Sequence, residues 1–407
     1  MSASRLTFGG RVTLLALFFA WGIVAVLVRM TVPHFRETFD LGYRDALLVQ
    51  SAFFLTYLLF ARASGAVTAR IGLRAGVVLG VSLMAAGALL LAIATWLHSF
   101  FALLPSVFVI ASGITFLQVA ANPLAAVEGG LSTTTGNLTF AQGFNSLGTV
   151  AAPLVAAAAF LGAAADPLEP VGWLFGAISL SLLALAIAVY SQFASIAPEP
   201  AGAPDGPPVR LTRFERQRLV AGVAALFVYV GAEVAISATL VNLLEADGML
   251  AAGRTASALL TSIFWIGMML GRFASVPLLT RYDRRAILAL AALGSALLCA
   301  IAGFAQGTVA AMAILASGLF AGLQFPTIFA IASADLEPRA RAKAAGWLCT
   351  GIVGGGIVPL LYGEIADRFS IETALVVPAL CFAFIAFFAT RYGGEVIDSG
   401  GGLPDRS

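Results

Sequence analysis

Gly113-Ile-Thr-Phe-Leu-Gln118-Val-Ala-Ala-Asn122-Pro123 and Asn137-Leu-Thr-Phe-Ala-Gln142-Gly-Phe-Asn145-Ser-Leu-Gly148-Thr149 set side-chain amides inside long apolar runs. A Gln or Asn left without a partner in hydrocarbon costs several kcal/mol, so these residues face a protein interior or a watery cavity that can hold something polar. Gln118 and Asn122 lie four apart, and Gln142 and Asn145 three apart, so on helices each pair shares a face. Amides both donate and accept hydrogen bonds, which suits a hydroxyl-rich guest.

The chain around them has 407 residues, of which 60% are hydrophobic and 11% charged, and its mean hydropathy is +0.96. In soluble domains about a quarter of residues carry charge, so this composition is that of an integral membrane protein. A net charge of +2 says little about partners. Twelve apolar segments of spanning length follow one another, near 11–33, 46–67, 75–96, 100–123, 138–163, 172–194, 217–243, 256–279, 286–305, 308–333, 344–366 and 371–391. The long polar break, Ala197-Pro-Glu-Pro-Ala-Gly-Ala-Pro-Asp-Gly-Pro-Pro208, falls between the sixth and seventh. We therefore expect an all-α membrane protein of twelve transmembrane helices in two six-helix halves: 1–196, a linker at 197–215, 216–393, and a short tail at 394–407.

A weak internal repeat supports two pseudo-symmetric halves. Segment four pairs a glycine approach with Asn122-Pro123, and segment ten runs from Gly318 to Gln324-Phe-Pro326. The next segments, with Gly143 to Pro153 and Gly346 to Pro359, are again alike in kind. Mid-membrane Gly and Pro let helices approach and flex, although Gly is common in any helix bundle.

Basic residues orient the chain. Of 23, only Lys343 is not Arg, and an N-terminus inside puts sixteen on the cytoplasmic side, including Arg70 and Arg74, against Arg36, Arg44, Arg254 and Arg368 outside. Both termini are then cytoplasmic. The first apolar run is span-length with no small-residue cleavage site, so it reads as a retained helix. Cys299, Cys349 and Cys381 sit singly in apolar segments and read as packing residues.

Together the runs Gln118 to Pro123, Ala141 to Thr149, Tyr229-Val-Gly-Ala-Glu233-Val-Ala, Phe325-Pro-Thr-Ile-Phe329 and Gly351 to Pro359 resemble the fucose/glucose/galactose:proton symporter family of the major facilitator superfamily. The resemblance spans both halves, from Trp21-Gly22 to the region of Cys381. Gln118, where the fucose permease branch carries Glu, points to the glucose/galactose permease branch. What the resemblance implies is a major facilitator fold and a secondary carrier for a neutral hexose-type monosaccharide such as glucose, galactose, mannose or fucose. It would work by alternating access in a bacterial inner membrane, as symporter or uniporter. It implies a sugar, membrane lipid and a coupling proton or sodium as partners, a monomer, and no cofactor, metal or nucleic acid.

Candidate sugar ligands are Gln118 and Gln142, with Asn122, Asn145, Gln50, Asn242 and Gln324 behind them. Each has a plainer alternative. Asn122 could satisfy the carbonyl freed by Pro123, and Asn145 could pin helix five to a neighbour. Trp21 and Trp265 are candidate platforms for a pyranose face, and Trp21 matches a sugar-contacting tryptophan of the fucose permease branch. Phe325 stands where that branch has a tyrosine. Glu233 is the one carboxylate deep in a span; hydrogen bonding to sugar, proton carriage and a structural ion pair all remain open for it.

The departures concern coupling and gating. In Trp21-Gly22-Ile-Val-Ala-Val-Leu-Val28-Arg29-Met-Thr-Val-Pro33 the family carries Asn and Asp where Val28 and Arg29 stand, and that Asp couples protons in the fucose permease branch. Arg does not exchange a proton in the physiological range. Uncoupled transport, coupling moved to Glu233, pairing of Arg29 with Glu233, recognition of an anionic sugar, and snorkelling to the headgroups all stay open. The loop Gly65 to Arg74 resembles the superfamily's gating loop, which makes Arg70 and Arg74 gating candidates, but Ala69 replaces its Asp. Gly271-Arg272 and Asp283-Arg284-Arg285 form a looser counterpart that would support one closed state.

Two further readings compete: a proton-driven exporter of small molecules on the same fold, and a membrane sugar sensor without flux. Enzyme signatures are missing. His34 and His98, the two histidines, fall at segment ends, and Gly354-Gly-Gly356 lacks the Lys-Ser/Thr of a phosphate loop.

Overall fold

The twelve apolar runs fold as helices, and two of them break partway. A computed structural model describes residues 6–31, 35, 38–39, 43–160, 166, 168–195, 211–251 and 253–392. The first group comprises α1 (Phe8–Met30), α2 (Tyr43–Ile71), α3 (Leu73–Trp96), α4 (Phe100–Glu128), α5 (Thr134–Phe160) and α6 (Glu169–Gln192). The second comprises α7 (Arg213–Glu245), α8 (Arg254–Arg281), α9 (Arg284–Phe304), α10 (Gly307–Ala321), α11 (Gln324–Ala332), α12 (Pro338–Thr350), α13 (Gly354–Arg368) and α14 (Val376–Tyr392).

The tenth run is broken between α10 and α11 at Gly322–Leu323, just ahead of Pro326. The eleventh is divided into α12 and α13 by a 3₁₀ turn at Gly351–Val353, where glycines crowd the chain. Prolines inside α4, α5, α8 and α13 each remove one helical hydrogen bond and permit a bend. The linker core at 197–210 and the tail from 393 lie outside the described residues, and α7 starts at Arg213 with a capping box between Thr212 and Glu215.

Among the described residues, ten helical segments are long and apolar enough to cross a membrane by length and composition. Their outward faces remain greasy: Leu180 is 71% and Leu290 68% exposed. A surface of that kind suits lipid and not water.

Within the first group α1 packs on α5, and α3 lies between α4 and α6; within the second, α7 packs on α13 and α14, and α9 on α14 and α10. The groups meet where α2 lies against α12 and α5 against α8. Close approach at these seams needs glycine. A Cβ on Gly65 of α2 would lie 2.9 Å from the Ala342 carbonyl, and one on Gly346 of α12 would lie 2.6 Å from the Ala61 carbonyl.

Candidate functional site

Between the two groups, at mid-height, lies a cavity of about 150 Å³, about the volume that holds one six-membered ring. Its wall draws on both groups. From the first come Trp21 and Arg29 of α1, Tyr57 of α2, Gln118 of α4, and Asn145, Ser146 and Thr149 of α5. From the second come Glu233 and Ser237 of α7, Trp265, Met268 and Arg272 of α8, and Ile352 of the 3₁₀ turn.

The polar members are held in different ways. Gln118 is only 7% exposed, yet its Oε1 has no hydrogen-bond partner. A buried acceptor in that state costs about 1–3 kcal/mol unless something donates to it. Asn145 donates from Nδ2 to the Phe18 carbonyl (3.2 Å), which pins α5 to α1 while the residue still lines the cavity. That seam is close: a Cβ on Gly22 would run into the Asn145 carbonyl. Trp21 is buried and tilted against Phe18 at 5.5 Å, and Trp265 meets Phe264 edge-on at 5.7 Å.

Arg272 spans the boundary between the groups. Its Nη1 donates to Ser146 Oγ at 2.6 Å and to the Gln142 carbonyl at 3.1 Å, both on α5, while its Nε donates to the Gly322 carbonyl at 2.8 Å. The last acceptor is free because Pro326, four residues on, brings no N–H to the Gly322 carbonyl. Glu233 is half-buried and shares the cavity wall with Arg272 and Arg29. Among the described residues it forms no close ion pair. Arg29 is exposed on the cavity wall; its Nε donates to the Ala25 carbonyl at 3.2 Å, one turn back along its own helix. Among the described residues Arg29 forms no close ion pair with Glu233, although both line the cavity.

Below the cavity the groups are sealed. Thr133 of the α4–α5 connection donates to the Leu279 carbonyl at the end of α8 (3.2 Å), and Phe273 of α8 packs on Phe140 and Phe144 of α5 at 5.9 and 5.8 Å. Arg62 of α2 lies over the Trp347 ring of α12 at 5.0 Å. Toward the opposite end, where α1 carries Arg29, α1 and α7 do not form a packed pair among the described residues. The cavity is thus closed at the end that holds the α2–α3 and α8–α9 turns.

Several candidates lie elsewhere. Gln142 and Asn122 face each other, Gln142 Nε2 donating to Asn122 Oδ1 at 3.0 Å in a buried pair, so they cross-link α4 and α5 away from the cavity. Gln324 is fully buried and donates to Ser295 Oγ at 2.9 Å, which ties α11 to α9. Phe325 packs on Tyr229 and Phe329 at 6.2 and 6.3 Å. Asn242 is exposed, beyond the cavity. The Gln50 side chain lies outside the described residues.

Arg70 is exposed, and Arg74 stacks on Tyr190 at 4.8 Å and donates to the Tyr190 carbonyl, joining α3 to α6 inside the first group. These two arginines do not cross the boundary; Arg62 and Arg272 do. Tyr57, Ser146, Thr149 and Ser237 line the cavity without having been singled out from sequence. The signal for two of them was present, since Ser146 and Thr149 adjoin and follow Asn145 by one residue and one turn.

No family model matches the chain. It is 35% identical over 392 residues to the glucose/galactose transporter of Brucella abortus, covering 95% of each chain. It is 30% identical over 405 residues to the L-fucose-proton symporter of Escherichia coli, covering 92% of this chain and 91% of that one. Among solved structures, the major facilitator superfamily transporter FucP in its outward conformation superposes with a TM-score of 0.81 at 26% identity, over 95% of this chain and 98% of that one.

Proposed function

Because this chain belongs to the fucose/glucose/galactose:proton symporter family of the major facilitator superfamily, we propose that it is a secondary carrier for a hexose-type monosaccharide. The observation that carries the proposal is the unpartnered Oε1 of buried Gln118 on a ring-sized cavity lined by both helix groups. A hydroxyl donating to Gln118 would satisfy it. Trp21 and Trp265 offer flat apolar faces to the ring, and Asn145, Ser146 and Glu233 offer further polar partners.

The two groups, 1–196 and 216–393, act as rocking halves around this fixed site. The basic-residue count puts both termini, and hence the sealed end, in the cytoplasm of a bacterial inner membrane. The conformation is then outward-facing. Arg272 and Arg62 hold the inner side shut, and release of these ties lets the halves rock toward the opposite state. Among the described residues Glu233 is the one carboxylate on the cavity, and it is the group through which a proton would be coupled. The carrier acts as a monomer within lipid.

Uptake of radiolabelled hexoses by proteoliposomes holding the purified protein, with and without imposed proton or sodium gradients, tests this reading. Gln118→Ala serves as the control. Saturable uptake reduced by that change supports it, and absence of flux for every hexose refutes it.

A further inference from the structure

The charge on the cavity wall does not balance. Among the described residues, two guanidiniums, Arg29 and Arg272, stand there against the single carboxylate of Glu233. Arg272 is committed to three neutral oxygens of the protein: two carbonyls and the Ser146 hydroxyl. Among the described residues Glu233 forms a close ion pair with neither guanidinium, so its one charge faces two. Arg29 is the less engaged of the two. It spends only Nε, on a carbonyl of its own helix, and its two terminal nitrogens have no partner among the described residues.

Exposed on the wall of a partly enclosed cavity, this guanidinium is open to an anion, and the pair would be screened less there than at a free surface. Its free edge is the planar fork that takes a carboxylate through two parallel hydrogen bonds. The fork stands above the ring-sized space, on the open side, two turns of α1 beyond Trp21 and Gly22. A ring seated against Trp21 with hydroxyls toward Gln118 and Asn145 would direct a substituent on its far edge at Arg29.

We propose that Arg29 is a specificity residue and that the preferred substrate is a hexose-derived monocarboxylate, a sugar acid of the hexuronate type, whose carboxylate pairs with the Arg29 fork. This rests on the sugar-carrier reading and narrows it. One negative charge on the ligand neutralises the wall, which a neutral hexose leaves with one positive charge in excess. Tyr57, which also adjoins Arg29, supplies a second polar contact beside the carboxylate.

Equilibrium binding to the full-length protein in detergent, read by intrinsic tryptophan fluorescence or calorimetry, tests this with D-galacturonate and D-glucuronate against D-galactose and D-glucose. The acids are expected to bind about tenfold tighter or more than the matching hexoses, in keeping with one charge-assisted bidentate pair. Arg29→Gln should erase that margin by weakening acid binding far more than hexose binding, whereas Arg29→Lys, which keeps the charge and loses the fork, should keep part of it. Unchanged thermal stability of both variants shows that they fold.

Hexose binding with no preference for the acid, or a preference that survives Arg29→Gln, overturns the inference and leaves the hexose reading in place. Binding of neither class overturns both. In proteoliposomes, uptake of the acid that is blocked by Arg29→Gln would be the corresponding transport result.

Discussion

Arg272 of α8 donates to Ser146 of α5 at 2.6 Å, and this hydrogen bond joins the two helix groups directly beneath the cavity. Hydrogen bonds to a charged group contribute about 1.5–3 kcal/mol. Ser146→Ala should therefore weaken the closed inner side. Spin labels at Arg70 and Lys343, both exposed at the sealed end on opposite groups, should report a longer or broader distance distribution in the variant. An unchanged distribution would mean that Ser146 contributes nothing to closure.

Gly65 offers a steric test of the same seal. A Cβ there meets the Ala342 carbonyl at 2.9 Å and the Gly346 Cα at 3.0 Å, both backbone atoms that cannot turn aside. Gly65→Val should push α2 from α12 and favour opening of the inner end, with labelling of an engineered cysteine at Lys343 rising. A labelling rate equal to that of the parent would count against this seam as a gate.

Two glutamines predicted alike from sequence should behave differently. Gln118→Ala removes an acceptor that waits for a ligand, so it should weaken sugar binding about tenfold, equivalent to one hydrogen bond. Gln142→Ala removes a partner of Asn122, so it should lower the thermal midpoint, at a cost of about 1–3 kcal/mol, while binding affinity holds. Exchange of these two outcomes would put Gln142 in the site in place of Gln118.

Glu233→Gln keeps the shape of the side chain and removes its charge. Accumulation driven by a proton gradient should stop, while exchange of labelled for unlabelled sugar across the membrane continues. Gradient-driven accumulation that persists in the variant would place coupling elsewhere.

What was legible in the sequence follows from which physical signals are local. Twelve helices could be read because hydrophobic length is a property of consecutive residues; Pro326 likewise marks the α10–α11 break locally, but that Arg272 takes the freed Gly322 carbonyl is set by another helix. Trp21, Gln118, Asn145, Glu233, Trp265 and Arg29 do meet on one cavity. Gln142 donates to Asn122, a choice of partner set by how α4 and α5 are rotated, and amide content alone carries no information on rotation. Arg74 looked like part of a gate by its loop, yet its partner Tyr190 belongs to the same helix group.

The seam between α1 and α5 also constrains how this carrier can be altered. A Cβ at Gly22 meets the Asn145 carbonyl, and one at Gly148 meets the Phe19 carbonyl, so the two backbones touch at both places. Positions 22 and 148 admit no larger side chain without prising that helix pair apart, whereas Trp21 and Thr149 beside them line the cavity. A library aimed at new cargo should therefore hold the two glycines fixed and vary their neighbours. Retuned selectivity can then arise at these wall positions without slackening the strut that carries them.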